Sequence, residues 1–135
     1  FTFFKGLLSI LLMAGFSDQV FAQTATITVP AAATTTITAG GTVTFTATRS
    51  GNFPGTGNYF FDWSATPSTG VSFNPASENA AGLTTSTTVA TFTQTGTYSI
   101  TCSVHQSGAA TVTTAKTVVV NAAMNADSPS NCNSG

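Results

Sequence analysis

Residues 42–48 and 98–104 place an apolar side chain at every second position: Val43, Phe45 and Ala47 in the first, then Tyr98, Ile100, Cys102 and Val104 in the second. Between them stand Thr42, Thr44, Thr46 and Thr48, and Ser99, Thr101 and Ser103. A repeat of two is the geometry of a β-strand, whose successive side chains point to opposite faces, one packed and one wet. A helix would need its apolar residues to return at helical spacing to share a face, and no such periodicity follows Ala22. Threonine at the wet positions agrees with this, because a β-branched side chain fits a pleated, half-exposed surface. The pattern predicts an all-β chain.

Turn residues cut the sequence into short strands, as in a sandwich of two sheets. Residues 25–29 alternate, with Ile27 and Val29 on one side, and stop at Pro30; residues 35–38 continue on the neighbouring sheet. Gly40 and Gly41 turn the chain into the strand 42–48. A loop over 49–58, marked by Gly51, Pro54, Gly55 and Gly57, leads to a strand at 59–64 with Tyr59, Phe61 and Trp63 on one face and Phe60 and Asp62 on the other. A short strand at 71–73 and a loop at 74–82 follow. Residues 87–93 form a strand whose register stays open, because Val89 and Phe92 have opposite parity; a bulge would reconcile them. The strand 98–105 pairs with 111–121 through a hairpin at Gln106, Ser107 and Gly108, with Val112, Val118 and Val120 facing inward.

That makes seven or eight strands in residues 23–122, the size of an immunoglobulin-type sandwich. Trp63, the run Trp-Ser-Ala-Thr-Pro-Ser-Thr-Gly-Val-Ser-Phe over 63–73, and Gly96-Thr97-Tyr98 resemble the PKD-like and immunoglobulin-like repeats of secreted bacterial adhesins. The resemblance implies a non-catalytic extracellular β-sandwich, working as a structural spacer or adhesion unit of a larger cell-surface protein. It also implies structural roles for Trp63, Tyr98 and Cys102. Antibody-type domains carry a second cysteine on the second strand, where this chain has Phe45 and its neighbours.

The ends differ from the middle. Lys5 precedes a nearly continuous apolar run over 6–16, then Ser17-Asp18-Gln19 and Val20-Phe21-Ala22, the layout of a secretory signal helix cut after Ala22. The run is too short to span a bilayer, which takes about 20 apolar residues. Residues 1–22 are thus expected to be a signal peptide, and 123–135 a polar linker or the start of another module. A pilin-like filament subunit that retains its N-terminal helix is the main alternative. Its family pattern has an acidic fifth residue, whereas this chain has Lys5.

Composition excludes some partners. Three basic and four acidic residues, 5% of the chain, cannot build a patch that holds nucleic acid or, once the signal is cleaved, a membrane surface. The expected partners are neighbouring domains of the same chain and surface glycans or proteins.

Chemistry is sparse, and no cofactor, metal or catalytic residue is expected. His105 is the one imidazole and falls beside a hairpin, which suits a solvated turn residue better than a general base. Asp62, Glu78 and Asp127 lie on a strand, in a loop and in the tail, so a carboxylate pair is not expected. Glu78 and Asn79 are loop candidates for calcium, without the Asp-x-Asp-x-Asp-Gly run that would support it. Cys102 has core parity, and a bond to Cys132 stays open. Carbohydrate binding is the third functional class. Its candidates are Phe53, Tyr59 and Phe60, with Phe53 and Phe60 expected at the surface and Trp63 in the core.

Overall fold

A computed structural model describes residues 22–124. Nine strands account for most of them: β1 (Thr24–Val29), β2 (Thr34–Thr38), β3 (Thr42–Ser50), β4 (Thr56–Thr66), β5 (Val71–Asn74), β6 (Ser77–Ala80), β7 (Thr85–Phe92), β8 (Gly96–Ser107) and β9 (Val112–Asn121). They form two sheets, β1-β3-β7-β5 and β2-β9-β8-β4-β6, packed as a sandwich with no helix among the described residues. The expected signal helix, the pilin-type alternative built on it, and Cys132 fall outside that range.

The alternation builds the core directly. On β3, Val43, Phe45 and Ala47 are buried while Thr42 and Thr44 are exposed. On β8 the buried parity runs from Tyr98 through Ile100, Cys102 and Val104 to Gln106. Phe45, Phe61, Phe92 and Ile100 are completely enclosed, each contributing roughly 2–3 kcal/mol of apolar burial against its exposed state.

Three sequence expectations are corrected. Residues 77–80 are not loop but the edge strand β6, paired with β4 from Tyr59↔Ala80 to Asp62↔Ser77. Its Ser-Glu-Asn-Ala has no apolar face to reveal it, since an edge strand needs only backbone partners. β7 has no bulge: Ser86, Thr88, Ala90 and Phe92 face inward in unbroken alternation, and Val89 faces out at 40% exposure. Two inward positions are polar, so apolar parity alone left the register open. A bulge lies instead in β1, where pairing shifts between Ile27 and Val29 and turns Val29 outward at 46% exposure.

The first stretch of chain is shared between the sheets. β1 pairs antiparallel with β3 and donates from the Ile27 amide to Thr114 Oγ1 near the start of β9. β2 then crosses over and runs parallel to the rest of β9, from Thr34↔Thr117 to Thr38↔Asn121. Both strands therefore travel in the direction of β9. The chain enters at one pole, beside Ser50 and the β8–β9 turn, and leaves at the opposite pole, beside Thr38 and Gly96. At the entry pole Gly51 has φ +86°, and a Cβ there would collide with the Ala22 carbonyl, so the incoming chain lies directly on this glycine.

Candidate functional site

The aromatic candidates divide between two places, because neighbouring residues of β4 point to opposite faces. Tyr59 joins Phe53 at the entry pole of the inner face, edge to face at 5.8 Å between ring centroids and 89° between planes. Arg49, on the inward parity of β3, closes over them with its guanidinium carbon 3.4 Å from the Tyr59 centroid and 5.7 Å from that of Phe53. Its Nε donates to the Leu83 carbonyl at 2.6 Å. This cation–π lid uses one of the few charges in the chain to cap the core. The expectation that Phe53 is exposed is therefore corrected: it is 3% exposed. The loop folds back under Arg49, a long-range packing event that leaves no periodicity to read.

Gln106 belongs to the same pole and was missed, being assigned to the turn. It is 7% exposed and donates from Nε2 to the Gly57 carbonyl at 3.0 Å, while its Oε1 has no partner among the described residues. The signal was present in the parity that continues past Val104.

Phe60 lies on the outer face of the five-stranded sheet, half-buried and stacked on His105 at 4.8 Å and 7°. The two are cross-strand neighbours on β4 and β8. One face of each ring is thus covered by the other, which suits a cross-strand pair worth roughly 0.5–1 kcal/mol better than an open stacking platform. With Phe53 and Tyr59 at the pole and Phe60 on the sheet, the three candidates do not share a surface.

Beside this pair, His105 Nδ1 lies 3.5 Å from Asp62 Oδ2, and Ser77 Oγ donates to Asp62 Oδ1 at 2.6 Å. The carboxylate stands between hydroxyl and imidazole. Nucleophilic catalysis requires the imidazole in the middle, where it can take the hydroxyl proton. Glu78 Oε2 accepts from the Thr87 amide at 3.3 Å, and Asn79 Oδ1 accepts from Asn58 Nδ2 at 3.1 Å. As adjacent residues of β6 these two side chains diverge and do not converge on one cation. Among the described residues no cluster of three or more His, Cys, Asp or Glu has metal-binding geometry.

The three structural candidates lie inside. Trp63 packs against Phe45 at 6.1 Å and donates from Nε1 to Ser86 Oγ at 3.1 Å, which gives the inward serine of β7 its partner. Thr88, the other inward polar residue, donates to the Pro75 carbonyl at 2.6 Å. Tyr98 sets its ring against Phe92 at 5.4 Å and returns its hydroxyl to the Gln94 carbonyl at 3.1 Å. Cys102 is fully buried and, among the described residues, a free thiol. Burial, with the nearby Asp62 charge adding to it, pushes the thiol up to about 12, so it stays protonated and unreactive at neutral pH.

Comparison with protein-family models finds no match, and comparison with curated proteins finds none either.

Proposed function

We propose that the chain is an immunoglobulin-like, PKD-like sandwich module, exported and held at the cell surface, where it works as a spacer or adhesion unit of a larger protein. The observation that carries this reading is the placement of chain entry and exit at opposite poles. A domain threaded in this way adds its full length to a string of domains. β8, at 12 residues, corresponds to roughly 40 Å of reach. Domains joined through a common pole would instead fold back on one another.

Other features support the same reading. An opening stretch divided between two sheets, a tryptophan on a central strand against the facing sheet, and a tyrosine whose hydroxyl returns to the preceding turn are recurrent in immunoglobulin-like sandwiches. Three of the charged groups of the described domain hold local structure: Arg49 caps the pole, Glu78 holds Thr87, and Lys116 Nζ donates to the Ala31 carbonyl. Its partners in this role are the neighbouring domains of its own chain and glycans or proteins of an apposed surface.

The test is protease treatment of intact producing cells, followed by immunodetection. The surface reading expects digestion without lysis. A chain protected until the cells are broken open would overturn it.

A further inference from the structure

β6 is held differently from the other edge strands of the two sheets. β1 buries Ile27, β2 sets Ile37 against the core, and β5 does the same with Val71 and Phe73. β6 contributes no side chain to that core. Within 77–82 only Glu78 is half-buried, and the rest is exposed. What secures the strand is polar: its backbone pairing to β4, from Tyr59↔Ala80 to Asp62↔Ser77, and side-chain hydrogen bonds. Ser77 Oγ donates to Asp62 Oδ1, Asn58 Nδ2 to Asn79 Oδ1, and the Thr87 amide to Glu78 Oε2. Hydrogen bonds at a surface exchange for bonds to water at small net cost, and a segment with little apolar burial opens readily.

Both ends of this segment are fixed to the body of the domain. On one side Thr88 Oγ1 donates to the Pro75 carbonyl at 2.6 Å, and the Trp63 amide donates to the Ala76 carbonyl at 2.8 Å. On the other side Leu83 packs against the core, and Arg49 holds the chain there through Nε to the Leu83 carbonyl and through its amide to the Thr84 carbonyl. Gly82, just before Leu83, has φ +73° with open space where a Cβ would stand, so the chain can pivot there.

We propose that residues 77–82 form a strap, hinged at Ala76 and Gly82, that swings off β4 as a unit while the two sheets stay packed. The open strap leaves the backbone groups of Tyr59 and Phe61 as a free edge of the five-stranded sheet. A free edge is a template for an added extended strand, so the closed domain conceals a pairing surface that the open one presents. The opening belongs to the domain itself and does not rest on its place at a cell surface.

Hydrogen exchange of the full chain, followed by NMR under native conditions, tests it. Because the Trp63 amide points to Ala76, alternation turns the Tyr59 and Phe61 amides toward β6 as well, and those of Phe60 and Asp62 toward β8. Antiparallel pairing returns the Glu78 and Ala80 amides to Phe61 and Tyr59. The expected result is one shared opening constant for Tyr59, Phe61, Glu78 and Ala80, at least about tenfold larger than that of Phe60 and unchanged by low urea. Cys102→Ala, which weakens the core, should raise the Phe60 constant and leave the strap amides as they were. N58A/D62A, which removes two of the strap's side-chain bonds, should raise the strap constants about tenfold more than that of Phe60. Equal protection on the two sides of β4, strap amides that open independently of one another, a rise with Cys102→Ala in step with Phe60, or indifference to N58A/D62A would each overturn the proposal.

Discussion

Cys102 makes stability depend on alkaline pH in a way that can be isolated. In the unfolded chain the thiol ionises near its ordinary value of 9.0, whereas in the core it is pushed up to about 12. Between those values the unfolded state releases a proton that the folded state keeps. Its contribution is therefore intact below pH about 9 and lost as pH rises, by roughly 1 kcal/mol at pH 10 and roughly 2–3 kcal/mol at pH 11. The informative quantity is the difference between wild type and Cys102→Ala, in which every other contribution is shared. Loss of the buried sulfur should cost the variant about 1–2 kcal/mol at pH 8. The variant lacks the thiol proton, so the two stability curves should converge as pH rises and cross near pH 10, leaving the variant the more stable at pH 11. Urea unfolding under reducing conditions, followed by tryptophan fluorescence at a series of pH values, measures the difference. A gap that stays constant from pH 8 to 11 would refute the argument that burial holds this proton.

Other substitutions test the packing. Phe53→Ala should cost about 3–4 kcal/mol and Phe60→Ala about 1 kcal/mol in urea titrations, and equal costs would contradict the division between buried pole and outer face. Trp63→Phe should cost about 2–4 kcal/mol alone and roughly 1 kcal/mol less in a Ser86→Ala background, where no serine hydroxyl is orphaned; a double-mutant cycle reads the coupling. Thr88→Val should destabilise by about 1–2 kcal/mol through loss of the bond to Pro75, while its neighbour Val89→Thr should stay within about 0.5 kcal/mol. Thermal melts that ranked those two in the opposite order would place β7 in the wrong register.

How far this architecture could be read in advance depended on which force held each segment. β3 and β8 were legible because the sandwich interior sorts their side chains by polarity, and the alternation records that sorting. The register of β7 stayed open because Ser86 and Thr88 occupy core positions that Trp63 and the Pro75 carbonyl make tolerable. Those partners are remote in sequence. β6 was invisible because it is secured by backbone pairing to β4. Among the aromatic candidates, sequence spacing could separate Phe60 from Tyr59, which differ by one strand position. It could not reveal that Phe53 returns from a loop to lie beneath Arg49.

The parallel pairing of β2 with β9 bears on how the domain answers tension. Pulled by its two ends, the domain is loaded lengthwise along both terminal strands, since β1 is drawn out at one pole and β9 at the other. The rungs from Thr34↔Thr117 to Thr38↔Asn121 then share the load in shear and must yield together. Pulled instead between Thr24 and the β8–β9 turn, which lie at the same pole, β1 would peel from β3 one rung at a time. Single-molecule extension should find the first geometry the stronger; equal rupture forces would mean that these strands do not resist as a unit. A module built in this way would hold its length under load and yield abruptly at a threshold.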